Sequence, residues 1–208
     1  MSDGDQITAA GSSFSFRCPK APSRPGLEAA STDATVYEIR KVTCWLVVAD
    51  IQDSTQLLRN SRAEEAPRIT GRWLSACNRI IDQHQGTINK FLGDGFLAYW
   101  LARQETAAAV AGALLALKEL QAQGSLVFRV VGHYGEVLAG GAGSLGEESL
   151  TGNDVNFVFR AEKLAAKLGT LRLLSEPANA QLKSLLPTIL EGRHDLPSYQ
   201  GKFAFFSF

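Results

Sequence analysis

The sequence predicts an α+β domain, a central and mainly antiparallel sheet with helices packed on it. Three observations carry that expectation. Val42–Ala49 (VTCWLVVA) is an almost unbroken apolar run, as a central strand covered on both faces requires. Gly86–Trp100 (GTINKFLGDGFLAYW) sets two β-type runs, Thr87–Leu92 and Phe96–Trp100, around Gly93-Asp94-Gly95, a hairpin signal. Stretches of helical apolar spacing alternate with these β-type runs over the rest of the chain.

Taken in order, the first 36 residues are rich in Ser, Ala, Gly and Pro and are expected to form a flexible leader, leaving residues 37–208 as one folded domain. The Val42–Ala49 strand runs into Asp50-Ile51-Gln52-Asp53-Ser54-Thr55, where Asp53 or Ser54 suits a helix N-cap before QLLRN. Residues 63–84 carry Ile69, Trp73, Leu74, Cys77, Ile80 and Ile81 at helical spacing and stop at Gly86, where the hairpin begins. Thr106–Gln123 predicts a helix ended by Gly124. A strand is expected at Leu126–Val131, a turn at His133-Tyr134-Gly135 and a second strand at Glu136–Ala139. Gly140–Glu148 reads as a glycine-rich excursion. Gly152–Leu168 is expected to be helical, Thr170–Leu174 a strand, Glu176–Leu186 a short helix and Phe203–Phe208 a closing strand.

Composition excludes several classes of protein. Lysine plus arginine equals aspartate plus glutamate at 21 each, so no global field favours nucleic acid or an anionic membrane. Cys18, Cys44 and Cys77 are odd in number and lack C-x-x-C spacing, which fits reduced thiols rather than a disulfide frame or zinc site. The apolar run around Ala107–Leu117 is too short to span a bilayer, and the N-terminus lacks a secretory pattern. A soluble, cytoplasmic protein is expected, with neither nucleic acid nor membrane as partner.

Two acids stand out. Asp50 ends a buried strand and Asp94 caps a hairpin. If the two elements are neighbours, the carboxylates converge on one cation, leaving positions for water and phosphate as Mg²⁺ or Mn²⁺ prefers. Backbone N–H groups from Gln52 to Thr55 would then offer phosphates a helix N-terminus. Taken singly, Asp50 reads as a helix-dipole acid and Asp94 as a solvated turn residue.

VADIQDSTQLL, GTINKFLGDGFLAYW, FRVVGHYGEVLAGGAG and LTGNDVNFVFRAEKL, in that order, resemble four motifs of the class III nucleotidyl cyclase catalytic domain, the domain of adenylate and guanylate cyclases. The likeness covers about Lys41 to Phe208. It implies a ferredoxin-like, palm-related fold. It also implies metal ligation by Asp50, Asp94 and the Ile51 carbonyl, with two divalent cations, Mg²⁺ or Mn²⁺. Lys90 falls on a base-recognising lysine, Asn156 on the asparagine that orients the ribose, and Arg160 on the arginine that stabilises the α-phosphate. The last two, at i and i+4, share one helix face, whereas Lys163 and Lys167 read as solvated. The family's base-reading aspartate is replaced by Ser149, which is similar to the lysine/threonine pair of one bacterial adenylate cyclase subgroup. Gln200-Gly201 stands where the family has a Lys-Gly pair that grips the triphosphate, which leaves three alternatives: Lys202 substitutes, Arg193 does, or no residue does.

The resemblance implies conversion of ATP to 3′,5′-cyclic AMP and pyrophosphate in sites shared across a head-to-tail homodimer, with the Gly140–Glu148 excursion as an interface arm. It leaves two other readings. One is a catalytically silent, nucleotide-binding regulatory module; the other is a cyclase for another base, giving cyclic GMP, CMP or UMP. A diguanylate cyclase ranks last, because Gly-Gly-Glu-Glu-Phe is absent.

Overall fold

The computed structural model describes residues 6–9, 12–15, 39–54, 65–124, 126–140 and 150–208. The chain divides into two units, Met1–Thr35 and Val36–Phe208. In the first, β1 (Gln6–Ala9) and β2 (Ser12–Ser15) pair antiparallel, Gln6 opposite Ser15. The composition of this stretch gave no sign of that pairing.

The second unit is built on a mixed, mostly antiparallel sheet. In chain order its elements are β3 (Arg40–Ile51), α1 (Glu65–Gln83), β4 (Thr87–Phe91), β5 (Gly95–Leu101), α2 (Thr106–Gln123) and β6 (Phe128–Ala139). There follow β7 (Leu150–Thr151), α3 (Asn153–Leu168), β8 (Arg172–Ser175), α4 (Glu176–Leu182), β9 (Ile189–Asp195) and β10 (Lys202–Ser207). The strands lie in the order β4-β5-β3-β6-β8-β10-β9, with β7 beside β6. β6 and β8 are parallel and the other pairs antiparallel.

β3 is central because its side chains are apolar on both faces. Trp45, Val47, Ala49 and Ile51 join one core with Trp73, Cys77 and Ile81 of α1 and Val110, Leu114 and Leu117 of α2. Cys44, Leu46 and Val48 join a second core with Val155, Val158, Ala161 and Leu164 of α3. Period-two alternation therefore assigns Asp50, at the even end of the strand, to the α3 face.

Local chemistry sets the helix ends. The Gly124 N–H bonds the Leu120 carbonyl to close α2. Gly169, left-handed at φ 67°, ends α3 and donates to Ala165 and Ala166. Ser175 caps α4 by accepting from the Ala178 amide.

Two strand expectations need correction. His133-Tyr134-Gly135 is not a turn, because β6 runs unbroken through it, paired with β3 from Phe128 to Ala139. Its glycines serve close packing: a Cβ on Gly132 would press on the Leu174 side chain, and one on Gly135 would strike the Asp154 carboxylate. The strand β9 was not foreseen. It is an edge strand with Ile189 and Leu190 exposed, so no buried face marks its sequence.

Candidate active site

The hairpin predicted at Gly86–Trp100 is present, β4 against β5. Gly93, at φ 76°, takes the left-handed conformation the reversal needs, and the Leu92 N–H bonds the Gly95 carbonyl at 2.8 Å. The Ile51 N–H donates to the Asp94 carbonyl at 3.2 Å, which fixes the hairpin tip against the end of β3. Asp50 stands opposite Gly95 in the β3–β5 register. A Cβ at Gly95 would lie 2.6 Å from the Ala49 carbonyl oxygen and 2.9 Å from Asp50 Oδ1. Gly95→Ala is therefore expected to cost about 1–3 kcal/mol of stability and to displace the Asp50 carboxylate; thermal unfolding with a parallel Mn²⁺ titration checks both.

Asp50 is perturbed by its surroundings, Asp94 among them. Burial pushes the Asp50 carboxyl from 3.8 to about 6, with Asp94 and then Glu162 adding to the rise, against Lys163 and Arg129. Two carboxylates held together with one of them desolvated is an arrangement that a divalent cation relieves, and oxygen-only donors suit Mg²⁺ or Mn²⁺. A cation must displace the Asp50 proton to bind. Affinity for Mn²⁺ is therefore expected to level off above about pH 7 and to weaken up to about tenfold per unit below about pH 6, as calorimetric titration across that range would show. A pH-independent affinity would contradict it.

Lys90 reaches the same face through an irregularity. Ile88 opposes Ala98 and joins the α1/α2 core, so plain alternation would turn Lys90 the same way. A bulge at the buried Asn89 puts Lys90 opposite Leu97, a member of the α3-side core.

Asn156 and Arg160 are exposed on α3, one turn apart, while Val155, Phe157 and Val158 are buried beneath them. The start of the helix is pinned. Asp154 Oδ2 accepts the Glu136 N–H at 2.6 Å, and the Tyr199 hydroxyl donates to the Asn153 carbonyl at 2.6 Å. His133, buried and stacked on Phe157, has Nδ1 2.7 Å from Ser175 Oγ and Nε2 3.4 Å from Asp154 Oδ1. The His133 ring holds the Asp154 carboxyl below the usual carboxylate range. Serine, histidine and aspartate here form a sealed anchor, since Ser175 is buried and occupied as the α4 cap.

Asp94, Glu162, Lys163 and Arg129 are the groups that act on Asp50, whereas Arg160 acts on Tyr199. Arg129 and Glu162 escaped the sequence reading; they sit 33 residues apart and meet only through the fold. Lys163, read as solvated, is exposed but ion-paired to Glu162 at 2.8 Å.

Other expected contacts are not brought to this face. The Gln52 N–H donates to the Val127 carbonyl at 2.9 Å and so is not free for phosphate, because residues 52 and 53 form a turn against the β6 approach. Asp53 is exposed in the left-handed region at φ 54°, and Ser54 begins helical structure. Phe203 and Phe205 pack on the α3 side, so Lys202 at the head of β10 points the other way, opposite Asp195. Arg193 pairs with Glu176 at 3.9 Å. Thr55, Ser149 and the arm at 141–148 lie outside the described residues.

This sheet with its helices is the fold of nucleotidyl cyclase catalytic domains, as expected from the motifs. The chain aligns with the adenylyl cyclase CyaB from P. aeruginosa at TM-score 0.69 and 19% identity, over 82% of this chain and 95% of that one. A bacterial light-regulated adenylyl cyclase gives 0.66 and 23%, over 81% and 90%. The guanylate cyclase domain of RhGC from Catenaria anguillulae, in complex with GTP, gives 0.68 and 17%, over 80% and 96%. No family model matches the chain. Among curated proteins, an uncharacterized protein of Mycobacterium bovis and one of Mycobacterium tuberculosis are each 30% identical over 168 residues, 74% of this chain. The chain spans 31% of the length of those relatives. Among the described residues, no helix is long and apolar enough to cross a membrane.

Proposed function

We propose that the chain is a nucleotidyl cyclase converting ATP to 3′,5′-cyclic AMP and pyrophosphate, in sites shared between two copies arranged head to tail. The observation that carries this reading is the meeting of Asp50 and Asp94 at the hairpin tip, on a cyclase fold whose α3 exposes Asn156 and Arg160 one turn apart.

Asp50, Asp94 and the Ile51 carbonyl would hold two divalent cations. Bound there, Mg²⁺ or Mn²⁺ supplies charge neutralisation of the triphosphate and acidifies the ribose 3′-hydroxyl. Lys90 reads the base edge, together with Ser149, whose hydroxyl both donates and accepts. Asn156 orients the ribose so that the 3′-oxygen lies in line with the α-phosphorus. As the new P–O bond forms and the bond to the β-phosphate oxygen breaks, Arg160 supplies positive charge where negative charge accumulates. The proton leaves the 3′-hydroxyl and pyrophosphate departs.

In this head-to-tail arrangement, which the resemblance implies, each site takes its carboxylates from one copy and Lys90, Asn156 and Arg160 from the other. Soluble cytoplasmic action belongs to the same proposal. Mass spectrometry of products from a mixture of ATP, GTP, CTP and UTP, with Mg²⁺ and with Mn²⁺, tests it. Cyclic AMP should dominate. Faster production of another cyclic nucleotide would overturn the choice of base, and no cyclic product from any of the four would overturn the enzyme.

A further inference from the structure

A buried carboxylate persists only where its charge is matched, and Glu162 on α3 is 2% exposed. Its Oε1 accepts from Arg129 Nε at 3.0 Å, and its Oε2 lies 2.8 Å from Lys163 Nζ. Arg129 stands directly opposite Asp50 in the β3–β6 register, with Nη2 3.7 Å from Asp50 Oδ2. The guanidinium thus lies between two carboxylates. It is hydrogen-bonded to Glu162 and is within ion-pair range, though beyond hydrogen-bond range, of Asp50.

We propose that Glu162 is a positioning residue for the cation site: by holding the Arg129 guanidinium it keeps Asp50 available to a divalent cation. Arginine pairs with a carboxylate through two parallel N–H···O bonds of about 2.8 Å when nothing restrains it. Freed from Glu162, Arg129 closes on Asp50 and takes the coordination sites a metal would use. Lys163 holds the second Glu162 oxygen and fixes the carboxylate in the orientation that keeps Arg129 back. This inference rests on the reading in which Asp50 and Asp94 ligate the cation.

The test is Mn²⁺ binding without nucleotide, followed by calorimetry and by the electron paramagnetic resonance of free Mn²⁺, on protein whose fold is checked by circular dichroism. Glu162→Gln is expected to bind Mn²⁺ about tenfold more weakly than wild type, and Arg129→Gln/Glu162→Gln to return within about threefold of it, because the second change removes the competing guanidinium. A general loss of structure would not be rescued in this way. Wild-type affinity in Glu162→Gln, or equal weakness in the single and double variants, overturns the proposal. If Glu162→Gln does not fold, Arg129→Gln alone decides: tighter binding supports the proposal, and unchanged or weaker binding defeats it. Asp94→Asn separates the two levels. Undiminished Mn²⁺ binding in that variant defeats the metal-site reading and this inference with it. Loss of binding there with no effect of Glu162→Gln defeats the inference alone.

Discussion

Asp94→Ala is expected to reduce cyclic nucleotide formation by at least about a thousandfold while leaving the protein folded. The loss is large because Asp94 is one of two carboxylates proposed to hold the cations. Folding should survive because the contact that fixes the hairpin tip is made by the Asp94 backbone carbonyl, to the Ile51 N–H at 3.2 Å, and alanine keeps it. Removing the side chain also takes a negative charge away from Asp50, whose carboxyl it helps push to about 6. The midpoint of thermal unfolding at pH 7 should therefore hold or rise. Rates of product formation beside an unfolding curve check this. An inactive variant that has also lost stability would point to a structural role for Asp94.

Arg160→Ala is expected to lower kcat by about a hundredfold to a thousandfold with a much smaller change in KM, since the contact proposed for it belongs to the transition state. The side chain is exposed on α3 while its neighbours Val158 and Ala161 are buried. Stability should therefore shift by no more than about 0.5 kcal/mol. A rise in KM at constant kcat would instead assign Arg160 to ground-state binding of the triphosphate.

The parts of the fold legible in the sequence are those where chain-local chemistry and burial agree. The apolar run at Val42–Ala49 became the central strand, the Gly-Asp-Gly reversal became the hairpin tip, and Thr106–Gln123 became a helix with these same ends. Illegible parts depended on neighbours distant in sequence. His133-Tyr134-Gly135 suggested a reversal, but the strand runs on, and Gly132 and Gly135 are small to admit Leu174 and Asp154. The bulge at Asn89 leaves no local mark, yet it turns Lys90 to the α3 face. Charged Arg129 and Glu162 would be read as solvated on any sequence pattern; burial of their ion pair follows only from packing α3 over β6. The edge strand β9 lacks the half-buried alternation by which strands are recognised. For the site, the β3 end that carries Asp50 does neighbour the hairpin tip that carries Asp94, the condition set for their carboxylates to share a cation, whereas the Gln52 N–H is spent on a backbone bond and Lys202 is turned away by strand alternation.

The claim that each site draws its carboxylates from one copy and its arginine from another is tested most directly by mixing. Asp94→Ala and Arg160→Ala proteins, each inactive alone, are combined in equal amounts under conditions that allow subunits to exchange, and cyclic AMP is measured. Random pairing makes about half the dimers mixed, each with one site assembled wholly from intact halves, so activity should recover to about a quarter of wild type. A mixture as inactive as its components would contradict the shared site.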